Sequence, residues 1–400
     1  MAGPDVHFDP YSREFLLDHH DAYRRVRQET PVYYNAERDF YALTHYGDVV
    51  NAYRDHETYS SARGFDLAMV KSDQPPPPAI LFMDPPDHRR MRGLVSKSFG
   101  ARSIGALDRA IEELVEHYLA AADPSRFDVV GDFSALFPLE IIAGMAGVPP
   151  ESRQQVRLWV DETNSVEPGQ MERSAASNAA LGNAVMFFYD LVQKRRAEPV
   201  DDLISRLLDA EVERENGEVS RLDDLEITGF ALLIAGAGGE TVTELVGNAM
   251  AVFARHPDQW DKLRADRSKV PAAVEELLRY DGPVRYNVRW TLREAVVQGI
   301  VIPAGNAVLL CGPAANRDPA VFADPDRFDI DRPQIQPAHL GFGYGIHTCL
   351  GAPLARLESV IAINHLLDFM PRYEVLWEEA KRLEAPTVTG WQTLPVRVLP

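Results

Sequence analysis

The segment FGYGIHTCLG, residues 342–351, stands immediately before a long apolar pattern of helical periodicity. Cys349 therefore lies at the start of a predicted helix, where the helix dipole and free backbone N–H groups stabilise an anion. Gly343, Gly345 and Gly351 let the backbone turn tightly and approach a flat ligand closely. The pattern predicts a thiolate that binds a metal from one side, and the alternative is a buried cysteine in a glycine-rich loop.

Length and composition set the broad class of protein. The chain has 400 residues, of which 46% are hydrophobic and 25% charged, as in ordinary soluble globular proteins. This length is too great for one simple core, so we expect two lobes that share an interface. The only cysteines, Cys311 and Cys349, form no CxxC pair, which excludes a disulfide framework and argues against structural zinc. Cys311 is predicted to be a small core residue.

Charge and hydropathy argue against two kinds of partner. The formal net charge of −19 repels nucleic acid and anionic lipid, so neither is expected as a partner, although solubility alone also explains the acidity. The N-terminal sequence MAGPDVHFDPYSREF has neither the basic nor the apolar region of a signal peptide. No run of about 18 apolar residues is free of charges and glycines, so we expect no membrane anchor and a cytoplasmic location.

Periodicity and turn residues indicate a mainly α fold with a small β region. A helix pattern from about residue 222 to 255 is apolar on every face at its middle, which predicts burial. The proline-rich segment 71–88 is either a stiff connector or a lid over a pocket. The remaining pattern predicts a β-hairpin within 31–44, mainly helices from 87 to about 220, helices near 257–266, 269–280 and 350–369, strands within 284–312, an irregular segment at 313–345 and short strands near 388–391 and 396–398.

The segment around Cys349 resembles the heme-binding loop of the cytochromes P450, the heme-thiolate monooxygenases. The pattern of that loop is Phe-x-x-Gly-x-[His/Arg]-x-Cys-x-Gly, and residues 342–351 meet every fixed position. The resemblance implies the cytochrome P450 fold, with a helix-rich lobe and a β-rich lobe around a buried heme b, as one domain over 1–400. It implies that Cys349 is the axial ligand of the heme iron. It further implies heme contacts from Phe342, Gly343, His347 and Gly351.

The middle of the long predicted helix contains Ala237-Gly238-Gly239-Glu240-Thr241. Each glycine costs roughly 1 kcal/mol relative to alanine in a helix interior, so close packing or function must compensate. A buried acid beside an alcohol favours function. The segment resembles the oxygen-binding helix of the family, which implies that Thr241 hydrogen-bonds the bound dioxygen, that Glu240 relays protons from solvent, and that Ala237 lies over the heme. Val242 stands where bacterial members often have a second threonine.

Two basic residues on one predicted helix face, His88 and Arg92, are spaced i, i+4 and can hold a carboxylate together. A solvated basic face is the alternative. The family has the same pair on the helix that contacts the heme propionates. The resemblance implies that Arg289 and His347 supply two further donors, which makes four donors for two propionates.

Glu276 and Arg279 share a helix face and resemble the ExxR motif of the family. The resemblance implies a structural triad completed by Arg327 in the later Asp/Pro-rich segment. Ala314-Ala315-Asn316-Arg317-Asp318-Pro319 resembles the family segment that leads into that region. These motifs occur in family order, and the matches extend from about residue 31 to 398.

The resemblance implies that the protein inserts one oxygen atom from O2 into a hydrophobic small molecule, most simply as a hydroxylation. Electrons would come from a separate ferredoxin or flavodoxin with its reductase, because the chain has no reductase domain. A peroxide-driven peroxygenase and a non-catalytic heme-binding sensor are the alternatives. Predicted substrate-facing residues are Phe65, Phe82, Leu233, Ala237, Val284, Val288 and Trp391. A predicted basic docking patch for the electron donor consists of Arg89, Arg90, Arg92, Lys97 and Arg102.

Overall fold

The computed structural model describes residues 6–164, 167, 169–213, 217, 219–333 and 338–400. Helices dominate, and short strands form small sheets. The α-helices are α1 Arg13–Leu17, α2 His19–Glu29, α3 Tyr46–Arg54, α4 Leu67–Lys71, α5 Asp87–Val95, α6 Ala101–Gly105, α7 Asp108–Ala121, α8 Phe137–Ala146, α9 Pro150–Asn164, α10 Ala175–Ala197, α11 Leu203–Asp209, α12 Asp224–Arg255, α13 Pro257–Ala265, α14 Val270–Asp281, α15 Gly312–Ala315 and α16 Ala352–Phe369. A π-helical turn covers Val129–Ser134, and 3-10 turns cover Ile80–Phe82, Ser96–Phe99, Arg267–Lys269 and Gly345–His347.

The strands confirm the predicted small β region. They are β1 Tyr33–Asn35, β2 Phe40–Leu43, β3 Tyr59–Ser60, β4 Phe127–Asp128, β5 Glu211–Glu213, β6 Val219–Arg221, β7 Asn287–Thr291, β8 Ala295–Val297, β9 Ile300–Ile302, β10 Ala307–Leu310, β11 Tyr373–Val375, β12 Lys381–Arg382, β13 Trp391–Thr393 and β14 Pro395–Val398. The largest sheet has the order β1-β2-β10-β7-β3, and a three-stranded sheet has the order β11-β14-β4. The predicted hairpin is confirmed, because Tyr33 pairs with Ala42 in antiparallel register.

Three short strands, β4, β5 and β6, fall in the region predicted to be helical. The first pairs with the C-terminal strand β14, and the other two pair with each other. Strands of two or three residues show no measurable periodicity in the sequence, and their pairing depends on chain contacts that a local pattern does not contain. The prediction of mainly helices from 87 to about 220 is confirmed, and these three short strands are the part of the segment that it did not include.

The long helix α12 organises the helical lobe. It has 32 residues and begins with a capping box in which Asp223 and Glu226 satisfy each other's backbone N–H groups. A Cβ atom added at Gly238 would lie 2.5 Å from Ile142 Cγ1, and one at Gly239 would lie 2.9 Å from Leu139 Cδ1. These two glycines therefore let α12 pack closely against α8, which compensates their cost in helix propensity.

Alternate residues of β10 belong to cores on opposite sides of the five-stranded sheet. Ala307 and Leu309 pack in one hydrophobic cluster, while Val308 and Leu310 pack in the other. Cys311 joins the first cluster and is fully buried, which confirms it as a core residue. Burial raises the pKa of its thiol to about 12. A third, larger cluster fills the helical lobe.

Two segments have the length and hydropathy of a membrane span, Val129–Ala146 and Asp224–Arg255. Both contribute many side chains to the large hydrophobic cluster of the helical lobe, where they pack against each other. Core burial therefore accounts for their apolar character.

Candidate functional site

The cysteine segment is a tight loop that ends against α16. Gly343 and Gly345 have φ angles of 68° and 72°, in the left-handed region that favours glycine. A Cβ at Gly345 would also lie 2.7 Å from the carbonyl oxygen of Tyr53. The backbone N–H of Cys349 donates to the carbonyl of Phe342 at 2.9 Å, which closes the loop and presents the thiol three residues before α16 begins.

The thiol of Cys349 is accessible although other parts of the fold lie close to it. Its side chain is exposed, yet burial within the fold raises its pKa. The backbone N–H groups of Gly351 and Ala352, together with Arg92, act in the opposite direction and favour the thiolate. An accessible sulfur beside the N-terminus of a helix has the environment of a metal-binding thiolate.

Glu275 binds residues on both sides of this loop. The sequence patterns did not identify this residue. It lies on α14 and pairs with His339 at 3.0 Å, just before the loop, and with Arg356 at 2.6 Å, on α16 just after it. Burial raises the pKa of Glu275, but hydrogen bonds from Arg356 and His339 outweigh it and lower that pKa to about 2. The Arg356 guanidinium also lies over the Phe342 ring, 4.5 Å from its centroid. The loop is therefore fixed by an ionised carboxylate on a neighbouring helix.

The four predicted carboxylate donors come together from three parts of the chain. The His88 ring on α5 lies 4.2 Å from the His347 ring of the cysteine loop, centroid to centroid. Arg92 donates to the carbonyl of Thr348 at 2.7 Å, and Arg289 on β7 is buried. The charges of Arg289, His88 and Arg92 all act on His347, so the four side chains form one cluster.

Electrostatics at this cluster favour an anionic ligand. Burial lowers the pKa of His347 to about 2, with further lowering by Arg289, His88 and Arg92. Burial and Arg92 lower the pKa of His88 to about 4. Within the described part of the chain, Nε2 of both rings is buried without a hydrogen-bond partner. Buried donors of this kind are normally satisfied, so a group with carboxylate oxygens fits this position.

The middle of the long helix contains an accessible stretch, although most of its C-terminal half is buried. Ala237 is exposed in the middle of α12, and Thr241 one turn later is half-buried. The Thr241 hydroxyl donates to the carbonyl of Ala237 at 3.0 Å, one turn earlier in the same helix. Rotation about the Cα–Cβ bond can exchange this hydrogen bond for one to a ligand.

Glu240 is a half-buried acid held by a neighbouring helix. Its Oε2 accepts a hydrogen bond of 2.8 Å from the side chain of Asn164, the last residue of α9. Burial, and then the charge of Asp161, raise the pKa of Glu240 to about 8. The side chain is therefore largely protonated at neutral pH, as a proton donor must be. No sequence pattern identified Asn164 or Asp161, because their role depends on the packing of α9 over α12.

The predicted structural triad has the right pair and the wrong third member. Arg279 donates to both oxygens of Glu276, at 2.7 and 2.9 Å, and both residues are buried. The third side chain is Arg332, whose Nε lies 3.1 Å from Glu276 Oε1. The side chain of Arg327 is 62% exposed and lies 3.6 Å from Asp329, so only its backbone carbonyl joins the network. The prediction of Arg327 was wrong because a family register in an irregular segment does not determine which of two arginines points inward.

The predicted substrate-facing residues do not all border the same space. The rings of Phe65 and Phe82 lie 6.1 Å apart, and Val284 forms a β-bridge with Val388. Val288 is completely buried in the core beneath the sheet. Its placement there favours a packing role.

A second group of possible metal ligands lies elsewhere, with His19, His20 and Asp281 in contact. Their ligand atoms lie within 4.8 Å of one another, and His20 pairs with Asp281 at 3.1 Å. Burial, and then repulsion by His20, Arg285 and Arg382, lower the pKa of His19 well below its usual value. This positive field opposes a cation, so we interpret the group as a structural link between α2 and α14.

Comparison with known proteins identifies the class to which this fold and site belong. The sequence model of the family Cytochrome P450 matches residues 173–382. A protein described as cytochrome P450 123 from Mycobacterium tuberculosis is 36% identical over 401 residues, which cover 100% of this chain and 98% of that protein. The chain belongs to the cytochrome P450 family, which confirms the resemblance of the motifs.

Two further relatives define the kind of enzyme and the fold. The vitamin D(3) 25-hydroxylase of Pseudonocardia autotrophica is 36% identical over 407 residues, which cover 100% of this chain and 98% of that enzyme. The structure of a mutant of P450 EryK in complex with erythromycin B is 34% identical and superposes with a TM-score of 0.87, covering 96% of this chain and 97% of that one. The protein is therefore a cytochrome P450 monooxygenase with the P450 fold, and its cofactor is heme b.

Proposed function

We propose that Cys349 would bind the heme iron through its thiolate and that the protein hydroxylates a large hydrophobic molecule with electrons from a separate ferredoxin or flavodoxin system. The proposal that Cys349 binds heme rests on one observation. At one site, the structure combines an accessible thiol with two buried histidine nitrogens that have no hydrogen-bond partner among the described residues. His88, Arg92, Arg289 and His347 would hold the two propionates of the cofactor. Phe342, Gly343 and Gly351 would contact its thiolate side.

A thiolate-ligated heme, when bound, supplies the electron density that favours cleavage of the O–O bond of dioxygen. The chain's own contribution is to hold protons and exclude water. Glu240, protonated at neutral pH, would hold a proton in the middle of α12, and the exposed Asp161 on α9 is close enough for its charge to raise the pKa of Glu240. Thr241 is placed to pass that proton on, because its hydroxyl both donates and accepts. Ala237 leaves room on the same helix face for a flat ligand.

A large hydrophobic substrate is supported by two features. The relatives include an enzyme named as a vitamin D(3) 25-hydroxylase and a structure in complex with erythromycin B. In this chain Phe65 and Phe82 form an aromatic pair beside the proline-rich segment, and Leu233 on α12 is half-buried. Apolar walls of this kind select apolar ligands.

An electron donor with an acidic face is supported by the exposed cations next to the cysteine loop. Arg89, Lys97 and Arg102 are exposed on and after α5. Arg92 points inward to the loop carbonyl of Thr348 and so is removed from the proposed docking patch. Arg90 is half-buried and pairs with Asp87 at 2.9 Å, so its contribution to a docking surface is reduced.

Turnover with isotopically labelled dioxygen tests the proposed reaction. Reconstitution with a ferredoxin, its reductase and a hydrophobic substrate found by spectral screening should incorporate one labelled oxygen atom into the product. Thr241→Ala should lower product formation while reductant consumption continues. Product formed only from added peroxide would favour a peroxygenase, and the absence of product with either oxidant would favour a sensor.

A further inference from the structure

A second acid, Glu244, lies on α12 one turn beyond Glu240 and is unused in the proposed reaction. Its side chain is 4% exposed. Its Oε2 accepts the backbone N–H of Trp391 at 3.0 Å. A Cβ atom added at Gly390 would lie 1.3 Å from that oxygen and 2.9 Å from Glu244 Cγ. The carboxyl group thus occupies the volume that any side chain at residue 390 would need.

The next turn of the helix binds the same segment. Asn248 is completely buried, and its side-chain amide donates to the carbonyl of Thr389 at 3.0 Å and to that of Asp281 at 3.3 Å. Two consecutive turns of α12 therefore hold the backbone of residues 389–391 by side-chain hydrogen bonds. Backbone groups held by buried polar partners have little freedom to move.

The other side of this segment is bound to the residues that lead into β7. The backbone N–H of Thr389 donates to Pro283, and Arg285 donates from Nε to the carbonyl of Val388 at 2.8 Å. Val388 also forms a bridge with Val284. The segment 387–391 consequently connects the helix that carries Thr241 with the strand that carries Arg289.

The charge state of Glu244 suits this position. Burial, and then the neighbouring Glu240, raise its pKa well above the usual value, Asp161 acts in the same direction, and Arg382 opposes them. The guanidinium of Arg382 stacks over the Trp391 ring, 4.5 Å from the ring centroid. A neutral carboxyl can accept one N–H in an apolar site at much lower cost than a carboxylate.

We infer that Glu244 is a positioning residue that fixes the segment 387–391 against α12 and thereby sets the distance between Val388 and the face of Thr241. This inference rests on the proposed heme site, because that site makes the space between these two elements the substrate pocket. Glu244 would not touch the reacting atoms. It would determine which ligands fit over them.

A double-mutant cycle tests the fit of Glu244 to Gly390. Gly390→Ala should lower the midpoint of thermal unfolding strongly in the wild type, because the whole Glu244 side chain would have to move. The same change should be tolerated far better in a Glu244→Ala background. The control cycle pairs Glu244→Ala with Gly47→Ala, where no atom lies within 4 Å of the added Cβ, and should be additive. Equal effects of Gly390→Ala in both backgrounds would overturn the inferred contact.

Ligand binding tests the functional part. Imidazole and 4-phenylimidazole both coordinate heme iron, but only 4-phenylimidazole is large enough to contact the wall of the pocket. Its affinity relative to imidazole therefore depends on the position of that wall. Glu244→Leu should weaken 4-phenylimidazole by roughly two- to tenfold relative to imidazole, as expected for one lost hydrogen bond. Glu244→Gln retains an acceptor for the Trp391 N–H and should keep the wild-type ratio. An unchanged ratio in Glu244→Leu would overturn the positioning role.

Hydrogen exchange gives a readout that needs no cofactor chemistry. The amide of Trp391 should exchange faster in Glu244→Leu than in the wild type, while the amide of Val396 in β14 should not change. If the wild-type protein fails to give the spectrum of a thiolate-ligated heme, the proposed function fails. If that spectrum is intact in every variant and the Trp391 amide is unaffected by Glu244→Leu, only the present inference fails.

Discussion

The proposed proton-donating role of Glu240 depends on its surroundings rather than on its residue type. An exposed glutamate is ionised at neutral pH, but here burial and Asp161 raise the pKa to about 8. The single described hydrogen bond from Asn164 acts in the opposite direction and leaves the shift in place. The sequence predicted a buried acid at this position, and only the packing of α9 shows why it holds its proton.

Turnover should therefore decline as the pH rises through about 8, when Glu240 loses its proton. Glu240→Gln should lower turnover by about 100-fold at pH 7 and remove this alkaline decline. The measurement is a pH profile of coupled product formation for both proteins. A profile of Glu240→Gln with wild-type rate and shape would contradict the role.

The same residue predicts a pH dependence of stability. The folded-state pKa is raised from 4.5 to about 8, so the folded protein binds more protons than the unfolded chain between these values. The free energy of unfolding of the wild type, relative to Glu240→Gln, should fall as the pH rises from about 5 to 8 and be constant above that. Chemical unfolding at several pH values measures the difference, and a difference that rises with pH would have the wrong sign.

At the level of elements, α14 supports the cysteine loop through the irregular segment that follows the β-rich region. Arg279 donates to the carbonyl of Asn316 at 3.0 Å, and the Asn316 side chain accepts the backbone N–H of Leu340 at 2.6 Å. Leu340 stands two residues before the loop begins. A continuous series of hydrogen bonds thus runs from the Glu276–Arg279 pair to the loop.

Arg332→Ala and Arg327→Ala form a matched pair that tests this support. Arg332 contacts Glu276 and donates to the carbonyls of Ala323 and Asp324, at 2.6 and 3.0 Å, so its loss should cost about 2–3 kcal/mol and reduce heme retention. Arg327 is exposed, so its loss should stay within about 0.5 kcal/mol. Thermal unfolding and heme content are the measurements. A larger loss of stability or heme content in Arg327→Ala than in Arg332→Ala would instead favour Arg327 as the third member of the triad.

Sequence patterns predicted the elements that are determined by residues close to one another in the chain. The helical periodicity from about residue 222 to 255 predicted α12, and the residue pattern of 342–351 predicted the cysteine loop. Contacts that join distant segments were not predictable in this way. Arg332 and Glu275 are an arginine and a glutamate among many, and only the tertiary structure selects them.

At the scale of the whole molecule, the net charge of −19 contrasts with the exposed cations beside the cysteine loop. An acidic electron donor, as proposed above, would be repelled by the net charge at long range and attracted near Arg89, Lys97 and Arg102. Such an arrangement affects the orientation of the bound donor more than its affinity.

Charge reversal separates the docking patch from the heme site. Lys97→Glu together with Arg102→Glu should slow electron transfer from a ferredoxin several-fold at low salt, and the difference should shrink as salt rises. Charge reversal of Arg109, an exposed residue on α7, is the control and should have little effect. Stopped-flow reduction under carbon monoxide measures the rate. A wild-type rate in the double variant at low salt would contradict docking at this face.

The central claim is that Cys349 ligates heme iron as a thiolate, and the absorption spectrum of the reduced protein under carbon monoxide tests it most directly. The account predicts a Soret band far to the red of that of a histidine-ligated heme, because the thiolate donates electron density to the iron. Cys349→Ser should lose this band, whereas Cys311→Ser, at the buried core cysteine, should keep it. A wild-type spectrum without the red-shifted band, or its persistence in Cys349→Ser, would contradict the account.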